Sequence, residues 1–450
     1  MPKRYRRALQ LTYLLFFIVF AAFLLVNSFG YRFNPSTRTI NTSATIETRT
    51  APFDSTITVK PTSFSTNAPA EVSIVEAGNY TIEVSKQGYT TESFRLYYPG
   101  GKNTRTSLAP LYLLPTQAST SYVLPGSLVS ILDGNLILTR DGATFSIVTV
   151  SPAGILSAQS VAIPSNLAAL VPLAKFTKLH DTVFWSPGSP SMILAKRGEG
   201  WNISALPTAL NEPIGIVGTN NSLLVLGKNK QLYSWNYTSE PVFIDSQVQG
   251  LAGGASGLSA WVWKDDWIQQ VNLSSPLAQQ LSPRTANFAS SALLAVDSTR
   301  FKVSTVYQGF AVLIGETLLY RPDFNQSDFI SIAQGVKDFS AASDTLYWVT
   351  DSNLSFANLR SGQRALLSDQ VPSGVNSFWY DPYWSRLVVA TSSSVYTLWH
   401  DNDKMNEAIG KYNLTTWLTD TQCENGFQGG VALCTKNNTA QFYINREFVF

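Results

Sequence analysis

The chain has 450 residues, 32 of them Lys or Arg and 30 Asp or Glu, for a net charge of +2. That length exceeds one typical domain, and the near-neutral balance argues against a nucleic-acid partner. Two cysteines and two histidines cannot build a cysteine-rich zinc centre, and no Gly-rich phosphate loop follows a strand and opens a helix; no metal and no cofactor is expected.

Residues 1–7 carry Lys3, Arg4, Arg6 and Arg7 and read as a basic cytoplasmic tail. A greasy run follows from Ala8 to Val26, with Gln10, Thr12 and Tyr13 as its polar interruptions. At about 1.5 Å per residue it makes roughly 28 Å of helix, close to the ~30 Å hydrocarbon thickness. Residues 8–27 therefore read as a transmembrane helix, a signal-anchor in contact with membrane lipid. The basic flank predicts a single-pass cell-membrane protein, N-terminus cytoplasmic and C-terminal domains outside. A cleaved signal peptide is the rival, but it needs a shorter core and a small-x-small cleavage site. Asn27-Ser28-Phe29 is a poor one.

Residues 28–45 are rich in Ser and Thr and read as an extended linker. Period-two alternation then begins, at Ile57 and Val59, Val72 and Ile74, Tyr80, Ile82 and Val84, and Phe94, Leu96 and Tyr98. Such alternation means strands with one buried face. Turn residues separate them, at Asn67-Ala68-Pro69, Gly78-Asn79, Lys86-Gln87-Gly88 and Gly100-Gly101. Residues 46–115 are thus expected to form a small antiparallel β-sandwich. Gly78-Asn79-Tyr80 entering one strand and Gly88-Tyr89 leaving it resemble the recurring features of PEGA domains, although the naming Pro-Glu-Gly-Ala tetrapeptide is absent. The resemblance implies an extracytoplasmic, cell-envelope β-module that spaces or binds, with no catalytic residues.

Residues 119–450 repeat a strand, a tight polar turn and a second strand. The turns fall at Asp133-Gly134-Asn135, Ser186 to Ser189, Gly227 to Lys230, Lys264-Asp265-Asp266, Gly315-Glu316, Asp351-Ser352, Ser392-Ser393 and Asn437-Asn438. Their spacing, roughly 36 to 54 residues, suggests propeller blades, each a meander that neighbours must cover. The fold expected is mainly β, with seven or eight blades, and Ser119 to Leu124 is placed to close the ring. Cys423 and Cys434 are a disulfide candidate across adjacent strands of the last blade.

Motifs for chemistry are sparse. His180 and His400 have no Gly-x-Ser-x-Gly elbow beside them. Asp401-Asn402-Asp403 begins like a calcium loop, but Met405 and Asn406 stand where an oxygen ligand and Gly are required. Asp265 and Asp266 sit in a hairpin turn, where Asp is ordinary. No residue is assigned a catalytic role. The most suggestive cluster is Trp379, Tyr380, Asp381, Tyr383 and Trp384, whose rings could stack on a ligand or pack between blades. The sequence thus points to a membrane-anchored binding or scaffold protein, presenting a propeller to an unknown envelope protein or glycan. The alternative is a propeller hydrolase or lyase acting on envelope glycans.

Overall fold

The computed structural model describes residues 3–29, 31–34, 38–42, 44–62, 64–74, 76–98, 105–107, 111–210, 212–218, 222–237, 239–254, 258–273, 280–281, 288–289, 300–322, 328–399, 414–423, 427–428 and 431–444. They divide into two compact units, one built mainly from residues up to Leu114 and the other from Pro115–Leu398 and Asn413–Ile444.

The first unit opens with a helix, Lys3–Ser28. Its uninterrupted apolar part is the thirteen residues from Leu14 to Val26. That run is about 20 Å long, short of the ~30 Å hydrocarbon core. Among the described residues no helix is long and apolar enough to cross a membrane. The expected anchor at residues 8–27, its lipid contact and the single-pass topology are corrected accordingly; that expectation had counted Gln10, Thr12 and Tyr13 as part of the span. The segment expected as linker contains a hairpin, Tyr31–Asn34 against Thr39–Thr42.

Beyond it, among the described residues, lie two larger sheets and a short parallel pair, Thr50–Ala51 with Leu111–Tyr112. Phe64–Asn67, Thr56–Lys60, Gly78–Ser85 and Glu92–Tyr98 form an antiparallel four-stranded sheet. Ala44–Thr48 pairs antiparallel with Ala70–Ile74 and parallel with Arg105–Ser107. The alternating residues point inward: Ile57, Val59, Val72, Ile74, Tyr80, Ile82, Val84, Phe94 and Tyr98 are all buried. Alternation with one apolar face is what two sheets need to cover each other.

Among the described residues the second unit holds eight four-stranded antiparallel meanders, here called blades I to VIII: 127–162, 177–205, 213–245, 248–289, 301–333, 338–368, 377–419, and 427–444 completed by Thr120–Val123. The unit is propeller-like. From blade I to blade VII, the first strand of each blade lies against the first strand of the next. Blade VIII is closed by an early segment, Thr120–Val123, pairing antiparallel with Thr439–Ile444. The outer strands of blades I and II also pair, in parallel, at Val161 with Trp201 and Ala162 with Asn202.

The cores lie between blades, and alternate residues of one strand serve opposite neighbours. On Val183–Ser186 of blade II, Phe184 packs toward blade I, while Val183 packs toward blade III. On Leu223–Gly227 of blade III, Leu223 and Val225 face blade II, and Leu224 and Leu226 face blade IV. Both faces of such a strand are apolar, so it reads as a continuous hydrophobic run. Phe442, Leu433 and Ala440 of blade VIII meet Ile131, Ile137 and Val148 of blade I in the same way. Trp261 and Trp263 are buried between blades IV and V, with Trp261 stacked on Phe310 at 4.9 Å.

Backbones approach closely at Gly309, where an added Cβ would lie 1.8 Å from the Arg321 carbonyl oxygen. Backbone cannot move aside as a side-chain tip can. Gly309→Ala is therefore expected to destabilise the unit by about 1–3 kcal/mol. Gly200→Ala, with open space around its Cβ, is expected to stay within about 0.5 kcal/mol. Urea unfolding of the two variants, followed by tryptophan fluorescence, checks the contrast.

Candidate functional site

The aromatic cluster lies on the first strand of blade VII, Ser377–Asp381, and on the turn into Arg386–Ala390. The structure divides it. Trp384 is fully buried and meets Trp417 edge-on at 5.4 Å. The Trp417 ring N–H donates to the Pro115 carbonyl at 2.9 Å. Tyr380 stacks on Tyr347 of blade VI at 5.4 Å, and its amide donates to the Ser340 hydroxyl at 3.0 Å. Trp379 is half-buried, and Tyr383 alone of the four aromatic residues is exposed. Tyr380 thus joins blade VII to blade VI and Trp384 packs within blade VII, so the rings do not form one open platform.

Asp381 is buried, and its Oδ1 accepts the amides of Tyr383 at 2.9 Å and Trp384 at 3.1 Å. This is an Asx-type turn, in which a carboxylate supplies the acceptor that backbone lacks. Burial pushes the carboxyl above its ordinary value, and the two amide bonds oppose the shift without cancelling it.

His180 ends the first strand of blade II, and its Nδ1 is buried without a hydrogen-bond partner among the described residues. Beside it Lys178 joins Asp133 at 2.7 Å and Asp181 at 3.0 Å. Burial works to lower the Lys178 pKa, but the bonds to Asp133 and Asp181 outweigh it and the pKa rises. Asp265 and Asp266 lie in the turn between the second and third strands of blade IV. His400, Asp401, Asn402 and Asp403 lie outside the described residues. No cluster able to hold a metal ion occurs among the described residues.

Two cavities open at the other end of the unit, where first strands begin and second strands turn into third strands. Each has a volume of about 290 Å³. The first lies among Val129, Leu173, Lys175, Phe176, Asn376 and Ser392. The second lies among Leu128, Asp420, Thr421, Lys436 and Asn438. Ser392 and Gln422 line both, so the two adjoin. The walls come from blades I, VII and VIII and from the segment joining blades I and II.

Several bonds fix these walls. Cys423 and Cys434 are joined in a disulfide. Next to it Gln422 and Thr435 exchange backbone hydrogen bonds of 3.1 and 2.8 Å. The Leu128 amide donates to Asn438 Oδ1 at 3.0 Å, tying blade I to the last turn of blade VIII. The Lys436 ammonium donates to the Thr419 carbonyl at 3.3 Å. Carboxamides, hydroxyls and two lysines facing apolar side chains can bind a mixed polar and apolar surface. Sequence reading missed these residues because positions from 128 to 438 meet here without a shared motif. Cys423 and the turns at Ser392-Ser393 and Asn437-Asn438 were the local signals, read as a disulfide and as hairpin turns and not as a site.

Residues 43–109 match the PEGA domain family. The resemblance drawn from Gly78-Asn79-Tyr80 and Gly88-Tyr89 holds for that segment. No curated protein matches the chain. Among solved structures, BamB from Moraxella catarrhalis is 10% identical, with a TM-score of 0.43, covering 73% of this chain and 99% of its own. Sqt1 from Saccharomyces cerevisiae is 8% identical, with a TM-score of 0.43, covering 73% and 98%. The Pan2 WD40 domain of Neurospora crassa is 9% identical, with a TM-score of 0.36, covering 59% and 86%. These neighbours are propeller-like, as is the second unit.

Two outcomes are expected from this geometry. Replacing both cysteines by Ser removes a short closed loop and is expected to cost about 3 kcal/mol. Hydrogen exchange should then accelerate at Gln422 and Thr435 before it does so in blade IV. Asp381→Asn keeps an acceptor for the two amides but removes a buried charge. A carboxyl raised by burial weakens the fold as pH climbs through its folded pKa, because the native state then holds the proton more tightly. The variant is expected to match or exceed the wild type at pH 7. Its advantage should shrink as pH falls toward 4 in melting curves of both proteins.

Proposed function

We propose that this chain is a non-catalytic protein-interaction scaffold. Its second unit closes as an eight-bladed ring and meets its partner through the end that bears the two cavities. The PEGA module accompanies it as a second interaction element or spacer, in keeping with a cell-envelope role. The observation that carries the reading is the pair of adjoining cavities sharing Ser392 and Gln422. Loops held by a rigid sheet framework are where propeller-like folds bind. The lining favours binding over glycan hydrolysis, since two carboxyl groups about 5–10 Å apart are needed for that reaction. Asp420 is the carboxylate that these walls contribute.

The test is position-specific photo-cross-linking in the full chain within its native cells. A probe at Ser392 is expected to trap one protein species, and a probe at Tyr383, near the other end of blade VII, is expected to trap none. The trapped protein, once purified, should bind the full chain and lose that binding on Leu173→Glu. Equal labelling from both positions, or binding indifferent to Leu173→Glu, would refute the proposal. So would turnover of an oligosaccharide that Asp420→Asn abolishes.

A further inference from the structure

We infer that the two adjoining cavities form one groove, which takes an extended peptide segment carrying an aliphatic side chain next to an acidic one. This rests on the scaffold reading above and names what that surface reads.

Two exposed carboxamides carry the polar half of the argument. Asn376 donates its backbone amide to the Ala390 carbonyl at 2.8 Å, and Gln422 pairs through its backbone with Thr435. Both engage the fold through main-chain atoms, which leaves their side chains at the groove wall. Each carboxamide offers a donor and an acceptor. A peptide backbone in extended form presents the same two groups at every residue.

The same lining carries the apolar half. Leu173 is 82% exposed, yet it sits on a stiff support. It ends a single 3-10 turn, Val171–Leu173, that contains Pro172 and is anchored by the fully buried Val171. The Leu173 amide donates to the Leu170 carbonyl at 3.0 Å, and the Ala174 amide donates to Val171 at 3.1 Å. An aliphatic side chain held toward solvent on a rigid turn is pre-organised for contact, so little ordering entropy opposes binding. Val129 and Phe176 line the same cavity.

Charge selects among peptides. Lys175 belongs to the first cavity and Lys436 to the second, against the single carboxylate of Asp420. That balance favours an acidic residue in the ligand. Sugars fit poorly, because they stack on open aromatic faces and Phe176 is 2% exposed. Volume agrees with a short chain segment: each cavity, at about 290 Å³, falls just below the ~300–1,000 Å³ range of small-molecule pockets.

The experiment is panning of a random heptapeptide phage library on the immobilised full chain. Enriched peptides are expected to place Leu, Ile or Val beside Asp or Glu. Fluorescence anisotropy with the best synthetic peptide should show roughly tenfold weaker binding for the Asn376→Ala/Gln422→Ala double variant, the loss of two hydrogen bonds. Lys175→Glu should remove the preference for acidic peptides. All these side chains are exposed, so unchanged melting curves establish that the variants fold. No enrichment, or peptides that bind the double variant as well as the wild type, would overturn the inference. If Ser392 still cross-links a folded protein in that case, the scaffold reading stands and the peptide inference alone fails. If Ser392 traps nothing either, both fail.

Discussion

A four-stranded meander with two apolar faces cannot stand alone, and that constraint governs most of this molecule. Leu223 and Leu224 are adjacent in sequence and belong to different cores. Each blade therefore contributes to two interfaces, and each interface needs two blades. Burying a tryptophan such as Trp263 removes about 150–250 Å² from water, worth roughly 4–6 kcal/mol at the usual coefficient. Ion pairs between blades, such as Lys264 with Asp245 at 2.8 Å and Lys302 with Asp338 at 2.6 Å, add little beside that. The assembly is held by shape and apolar area, and polar contacts set its details.

This constraint also explains where recognition can occur. Many large aromatic side chains are consumed by packing, Tyr380 against Tyr347 of the neighbouring blade and Trp384 against Trp417 within its own, although both looked like binding residues. What remains free is the ends of the strands, where turns can vary without disturbing a core. At one end lie turns tied down by their own side chains, as Asp381 does for Tyr383 and Trp384. At the other lie the two cavities, with exposed Asn376, Ser392 and Gln422 on well-supported backbone.

The alternation of Ile57 with Val59, and of Tyr80 with Ile82 and Val84, was legible because a one-sided sheet writes its burial directly into period two. The propeller-like repeat was legible through its turns, with one instructive slip. Asp133-Gly134-Asn135 joins the first and second strands of blade I, whereas the other seven turns join second and third strands. The turn that corresponds to those seven in blade I is at Asp141-Gly142, which is why the first interval was the longest. The helix was misjudged as a span because a tally of apolar residues ignored where its polar ones fall. The cavities were illegible for a different reason. Their residues are scattered over more than three hundred positions and are juxtaposed only when blades VII, VIII and I meet.

That meeting place is also the seam of the unit. Thr120–Val123 comes from one end of the second unit and Thr439–Ile444 from the other, so the last blade exists only when the two ends pair. The disulfide does not span this seam, because it joins residues eleven apart within the later segment. The seam is held instead by Phe442 and Leu433 against Ile131, Ile137 and Val148, by the strand pairing, and by the Asn438 bond to Leu128. Each hydrogen bond is worth about 1 kcal/mol net, so the apolar contacts dominate. Any local opening of the last blade would pull Asn438 and Lys436 away from Leu128 and dismantle the groove before the other blades respond. A ligand that binds the closed groove must therefore stabilise the seam by mass action. Binding at this site and closure of the fold are two readings of one equilibrium.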